Sequence, residues 1–111
     1  MLLKKNRADK KMIDRIFSVG KFINSPSLTF KYILTGKSVP RISFIAPKSI
    51  AKLAVKRNAL RRRGYDVLKK EFHNVPNGLA GVFIFKKYED DAEKLKREIE
   101  TIISKIAPLA D

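Results

Sequence analysis

The run Leu79-Ala-Gly-Val-Phe-Ile-Phe carries no polar side chain at any position. It follows a loop of turn-forming residues, Asn74-Val-Pro-Asn-Gly, and is closed by Lys86 and Lys87. Apolar residues do not alternate with polar ones along it, so it reads as a central strand with no solvent face. A sheet must therefore be built around it, and the other segments have to supply its neighbours and its cover.

Two other segments have strand character. In Ser27-Leu-Thr-Phe-Lys-Tyr-Ile, residues Leu28, Phe30 and Tyr32 share one face, while Thr29 and Lys31 share the other, which is the period of two expected of a strand. Thr35-Gly-Lys-Ser-Val-Pro reads as a turn, and Arg41-Ile-Ser-Phe-Ile-Ala as a second strand ended by Pro47. The two are expected to pair as an antiparallel hairpin.

Three segments have helical spacing. Residues 9–19 bring Met12, Ile13, Ile16 and Phe17 onto one face, with Asp9 placed to cap the start and Gly20 to stop the helix. A long helix is expected from Ser49 or Ile50 to Phe72. On it Leu60, Gly64, Val67 and Leu68 fall on one side, Asn58, Arg62, Tyr65 and Lys69 on another, and Arg57 and Arg61 at the edge. Gly64 inside this helix costs about 1 kcal/mol relative to Ala, which points to a close approach by the sheet or another backbone. The last helix, Glu89 to Ala107, has the apolar stripe Leu95, Ile99, Ile102, Ile103 and Ile106, with Asp90 or Asp91 as its cap. The expected fold is α+β: a single domain over 1–111 in the order α-β-β-α-β-α, with a small sheet packed by helices and a flexible basic arm over 1–8.

Charge narrows the function. The 111 residues hold 25 Lys and Arg against 11 Asp and Glu, a net charge of +14, and so strong an excess points to a polyanionic partner. Residues 1–21 hold seven cations and two acids, residues 47–73 nine and two, and residues 89–111 four and seven. Two basic segments are thus set to share the polyanion while an acidic end faces solvent. No stretch approaches the roughly 20 apolar residues of a membrane span, and the N-terminal residues lack the apolar core of a signal peptide. A cytoplasmic protein without membrane association is the expectation. With no Cys in the chain, disulfides, thiolate zinc sites and Cys nucleophiles are excluded.

The densest basic stretch, Ala54-Val-Lys-Arg-Asn-Ala-Leu-Arg-Arg-Arg, sets five cations and one amide on a helix with no acid before Asp66. A solvated charged face is the plain interpretation. The sharper one has Arg57, Arg61 and Arg62 forking onto phosphate oxygens while Asn58 bonds a base, sugar or phosphate, with Lys56 alongside. Mutual repulsion that only an anion would relieve favours the sharper one. Composition does not separate DNA from RNA, although the deep groove of A-form RNA would exclude such a helix and leave it junctions and phosphates.

The stretch Lys48-Ser-Ile-Ala-Lys-Leu-Ala-Val-Lys-Arg-Asn-Ala-Leu-Arg-Arg-Arg resembles the signature of the bacterial ribonuclease P protein family, a Ser-Lys-Lys strand end followed by an Ala-Val-x-Arg-Asn-Arg-x-Lys-Arg helix. Upstream, Ile13-Asp-Arg-Ile-Phe-Ser-Val-Gly-Lys is similar to the family's first helix, and Gly81-Val-Phe-Ile-Phe-Lys-Lys to its last strand. Ala59, Ser49 and Ile13 depart from the pattern, and Arg61, Arg62 and Arg63 stand where they can replace the lost cation. The resemblance implies a left-handed βαβ crossover and a mixed sheet. It also implies binding of ribonuclease P RNA through Lys56, Arg57, Asn58, Arg61 and Arg62, and of the 5′ leader of precursor tRNA by Phe17, Thr29, Lys31 and Lys48. For Phe17, plain core packing fits as well as stacking on a base.

No catalytic constellation is legible in the chain. His73 is the only His and reads as a helix-end residue, while Asp90, Asp91 and Glu93 read as helix-start acids stabilised by the dipole. No metal site of the protein is expected, nor a stable protein partner. Under the resemblance, Mg²⁺ held by the RNA and substrate activates the attacking water, and the protein serves as an accessory subunit of a tRNA-processing endonuclease. A structural RNA-binding protein of ribosomal type would share this shape and charge. A DNA-binding regulator would need an exposed base-reading helix and a dimer seam, and neither is evident.

Overall fold

The computed structural model describes residues 4–36 and 39–109. Residues 1–3 of the expected arm, and Lys37 and Ser38 of the expected turn, lie outside them. In chain order the elements are α1 (Lys10–Val19), β1 (Lys21–Asn24), β2 (Leu28–Leu34), β3 (Arg41–Ile45), α2 (Ala54–Glu71), β4 (Leu79–Phe85) and α3 (Ala92–Ile106). The expected order of helices and strands is kept, with the short β1 added ahead of β2.

The sheet order is β1-β2-β4-β3, so the all-apolar strand is central as expected. The hairpin expected between β2 and β3 does not form. β4 lies between them, antiparallel to β2 (Thr29 opposite Ile84) and parallel to β3 (Ile45 opposite Ile84). The reason is burial: only β4 is apolar on both faces, so it takes the interior position and leaves β3 at an edge. The hairpin partner of β2 is instead β1, joined through a turn in which the Ser25 N–H donates to the Leu28 carbonyl at 2.8 Å.

Side-chain alternation then sorts the two faces. Phe30, Tyr32, Ile42, Phe44, Phe83 and Phe85 point into the main core with Leu60, Val67 and Leu68 of α2 and Leu95, Ile99, Ile102, Ile103 and Ile106 of α3. On the opposite face a second, smaller cluster seats Ile16 of α1 on Ala80 and Val82, with Met12, Ile13, Ile33, Ile45 and Ile84 partly buried around it. Burying one such Ile contributes roughly 1.5–3 kcal/mol, enough to dock a ten-residue helix while leaving much of this face open.

Both long helices begin later than expected, each for a local reason. The Ile50 N–H turns back to the Pro47 carbonyl at 3.2 Å. The Arg57 guanidinium takes the carbonyls of Ala51 and Lys52 at 3.0 and 2.7 Å, which a continuing helix would have offered to Val55 and Lys56. α2 therefore starts at Ala54. α3 starts at Ala92 because the Asp91 carboxylate caps it, accepting from the N–H groups of Glu93 and Lys94 at 3.0 and 3.3 Å, a contact worth about 1 kcal/mol.

Glu89 is thereby outside the helix and buried, accepting from the Ser27 hydroxyl and the Asp91 N–H, each at 3.2 Å, with Lys94 Nζ 3.6 Å away. Burial pushes its carboxyl up, but the Asp91 N–H, the Ser27 hydroxyl and Lys94 outweigh that and hold it below the ordinary carboxylate value. Its stabilising effect is present at neutral pH and is lost as the pH falls through that lowered value. Glu98, which helical spacing alone leaves among the solvated acids of α3, is also buried, and its Oε1 accepts from the Ser25 hydroxyl and from the Ser27 N–H. These two carboxylates tie the β1–β2 turn to α3.

The basic stretch expected as a free arm is held over its described part. Lys4–Asn6 form one 3₁₀ turn, the buried Asn6 amide donates to the Pro40 carbonyl at 3.2 Å, and the Ala8 carbonyl accepts from Ser43 Oγ at 2.9 Å. Gly64 meets the expectation of close approach: a Cβ there would lie 2.6 Å from two atoms of the Phe44 ring. Gly→Ala inside a helix ordinarily stabilises by about 1 kcal/mol. Here Gly64→Ala should destabilise by about 1–3 kcal/mol through overpacking, read as a lowered urea midpoint. A raised midpoint would mean that the ring yields freely.

Candidate nucleic-acid interface

α2 turns Leu60, Gly64, Tyr65, Val67 and Leu68 inward. Tyr65, expected on the polar side, is buried: its ring meets Phe44 edge-on at 5.0 Å, and its hydroxyl accepts the Phe44 N–H at 3.1 Å. β3 is an edge strand, so this bond satisfies a backbone donor that has no strand to pair with. The inward stripe pushes every cation of α2 to the remaining surface, where the cations divide by what they touch.

Lys56 Nζ lies 5.7 Å from the centre of the Tyr88 ring, a cation–π contact. Arg57 is partly committed to the carbonyls that end the loop before α2. Arg63 is likewise partly committed, donating to the Glu89 carbonyl at 2.9 Å, so it fastens the β4–α3 connection. Arg61 donates to the Asn58 side-chain oxygen, which leaves the Asn58 NH₂ group facing outward. Arg62 is exposed and makes no hydrogen bond or ion pair among the described residues. Among those residues the single ion pair is Lys94 with Glu89, so no cation of α2 is held in an ion pair, and the helix carries seven cations against Asp66 and Glu71.

The second set of expected residues is on the open face of the sheet. The register aligns Phe22 of β1 with Lys31 and Val82, and Asn24 with Thr29, Ile84 and Ile45. Phe17, on the side of α1 turned from the core, is 42% exposed, and Lys31 Nζ sits 5.2 Å from its ring centre. Phe17 therefore does not act as a core residue. The Thr29 hydroxyl donates to Asn24 Oδ1 at 2.7 Å. Lys48 is exposed in the turn just past β3, at the same end of the sheet as Thr29, because β3 runs parallel to β4 and antiparallel to β2. Phe17 and Lys31 are thus brought together, with Thr29 two residues along and Lys48 at the rim. The α2 set is apart from them, on the helix that covers the opposite face.

Sequence reasoning missed the part that β1 plays. Phe22 is 62% exposed beside Lys31, and Asn24 is exposed next to Thr29. The signal was present: Lys-Phe-Ile-Asn between Gly20 and the Ser-Pro-Ser turn is a short strand bounded by breakers. Among the described residues no three His, Asp or Glu side chains are grouped to hold a metal ion, and no helix is long and apolar enough to cross a membrane.

The division of labour on α2 can be tested by stability alone. Arg57→Ala strips a partner from two carbonyls and should cost about 1–2 kcal/mol. Arg62→Ala, on a free surface, should stay within about 0.5 kcal/mol. Urea denaturation of the two variants distinguishes them, and equal midpoints would refute the structural role of Arg57.

A family model described as Ribonuclease P matches residues 3–107. Among solved structures, the RNase P protein of Staphylococcus aureus superposes with a TM-score of 0.76 at 16% identity, covering 97% of this chain and 100% of that one. The RNase P protein of Thermotoga maritima superposes with a TM-score of 0.66 at 22% identity, covering 94% of each chain. A Staphylococcus aureus RNase P protein mutant with defective mRNA degradation activity gives 0.74 at 17% identity, over 95% of this chain and 90% of that one. No curated protein matches in sequence. At these identities the solved structures establish a shared fold, and the family model spans nearly the whole chain: this protein belongs to the ribonuclease P protein family.

Proposed function

We propose that this chain is the protein subunit of a ribonuclease P ribonucleoprotein, binding the catalytic RNA through α2 and the 5′ leader of precursor tRNA between α1 and the open sheet face. The observation that carries this reading is the excess of unpaired cations on α2, held outward by the Leu60–Gly64–Leu68 stripe in a chain of this family. Arg61 and Arg62 neutralise phosphates of the RNA, while Lys56 and the uncommitted donors of Arg57 extend the contact toward the start of α2. The Asn58 NH₂ donates to a base, sugar or phosphate oxygen.

On the other face the Phe17 ring stacks on an unpaired leader base, and Lys31 and Lys48 hold its backbone. Thr29 adds a hydroxyl beside them. Both surfaces are cationic and no acidic cluster accompanies them among the described residues, so the chain's own side chains do not suit a Mg²⁺ site. In this reading Mg²⁺ belongs to the RNA and substrate, and supplies activation of the water that cleaves the phosphodiester. The protein raises substrate affinity and screens phosphate repulsion. A cytoplasmic site of action goes with these partners.

The direct test adds the purified protein to a bacterial ribonuclease P RNA at low Mg²⁺ and follows precursor tRNA cleavage. Stimulated cleavage at the mature 5′ end is expected, and no stimulation would favour a purely structural RNA-binding role. In the same assay Phe17→Ala or Lys31→Ala should weaken leader-bearing tRNA by roughly 1–3 kcal/mol and spare mature tRNA. Equal losses for both substrates would remove the leader from this cleft.

A further inference from the structure

The docked N-terminal segment places a cation where α2 needs one. Two anchors hold it on either side of Arg7: the buried Asn6 amide on the Pro40 carbonyl, and the Ala8 carbonyl under Ser43 Oγ. Arg7 is half-buried and borders two neighbouring recesses. One is lined by Arg7, Asn58, Arg61, Arg62 and Tyr65. The other is lined by Lys5, Arg7, Ala8, Asp9 and Arg41.

Arg7 therefore joins the cations of α2 to those at the β3 edge, although it is more than fifty residues from Arg61 in sequence. The side chains of Lys5, Arg7, Arg41 and Arg62 make no hydrogen bond or ion pair among the described residues. The one acid in the strip, Asp9, is already used by α1, whose Met12 N–H it accepts at 2.9 Å.

We infer that Lys5, Arg7 and Arg41 form a phosphate track continuous with Arg61 and Arg62, so that an RNA strand docked on α2 runs on across the N-terminal segment, and that Asn6 is the residue positioning Arg7 in it. This rests on the assignment of α2 to the RNA subunit and extends it to a second segment of the chain. The chemistry favours a phosphodiester backbone. Guanidinium groups side by side repel one another unless an anion lies between them, and two or more phosphates in a row meet that need where a single carboxylate does not. Lining residues other than Ala8 end in charged or polar groups, and cations outnumber the single acid Asp9, so the strip calls for an anionic partner.

The test measures binding of the full-length chain to a bacterial ribonuclease P RNA, without tRNA, across a salt titration. Arg7→Ala should weaken binding by roughly five- to tenfold and lower the slope of log affinity against log salt by about one, as expected when one phosphate contact is lost. The Arg7 side chain makes no hydrogen bond or ion pair among the described residues, so the variant should keep the parent's unfolding midpoint. Asn6→Ala should reproduce most of the affinity loss and the same change of slope, and adding Arg7→Ala to it should cost little more. Asn6 acting only on stability would lower the midpoint and leave the salt slope unchanged, which would overturn its positioning role.

Arg62→Ala is measured alongside. Wild-type affinity and slope for Arg7→Ala, with a loss for Arg62→Ala, overturns the track while leaving the α2 assignment standing. No effect from either variant overturns both. A loss seen only in a parallel measurement with precursor tRNA added, with binding to the RNA subunit alone intact, would also overturn the track, because the strip would then belong to the substrate.

Discussion

Phe30, Phe83 and Phe44 sit abreast on β2, β4 and β3, and their rings pack at centroid distances of 4.2 and 4.9 Å across the sheet. Each aromatic pair is worth about 0.5–1.5 kcal/mol beyond its buried area, but their larger effect is geometric. A Cβ on Gly81 would lie 2.2 Å from the Phe30 ring, and one on Gly64 would strike Phe44. These two glycines are the spaces into which the rings fit. The row thereby sets both the approach and the rotation of α2, and Tyr65 locks the rotation by capping the Phe44 N–H. The outward direction of Arg61 and Arg62 is a consequence of where an aromatic ring needed room.

The sheet carries different tasks on its two faces. One is closed by α2 and α3 and is stabilised as a core. The other receives only α1 and the short N-terminal segment, and α1 docks mainly through Ile16 and leaves Phe17, Phe22 and Lys31 accessible. An incomplete cover of this kind costs burial that a larger helix would have provided, and it retains a strip with exposed rings and a cation at its middle. The acidic end of the chain is also used structurally. Glu89 and Glu98 are turned inward to hold the β1–β2 turn, so β1, which bears Phe22 and Asn24, is fastened from the side opposite to its exposed residues.

Much of this was readable in advance, and the errors share a physical cause. Period-two and period-3.6 patterns report burial along one element, so the faces of β2, the stripe of α3 and the central place of β4 were legible. Pairing between β2 and β3 was misjudged because adjacency in sequence was taken for adjacency in space, while the competition for the interior position was won by the more apolar β4. The late starts of α2 and α3 come from side chains returning to the backbone, Arg57 to Ala51 and Lys52, and Asp91 to its own helix. Helical spacing does not reveal such bonds. Nor does it reveal the bond of Arg63, whose partner is a carbonyl 26 residues away.

What the sequence determined by itself is the inventory: three amphipathic helices, a strand too apolar to be anything but central, an excess of cations over acids on α2, and a family signature across them. These are properties of composition and local period, which a chain possesses before it folds. What only the tertiary structure decided is which cations remain free. Arg57 and Arg63 spend donors on backbone carbonyls and Arg61 on the Asn58 side-chain oxygen, Arg62 has no side-chain bond among the described residues, and Arg7 is carried to their side by two hydrogen bonds from Asn6 and Ser43. How many donors a cation keeps for a partner depends on which groups of its own protein have claimed the others, and that depends on distances the linear order does not contain.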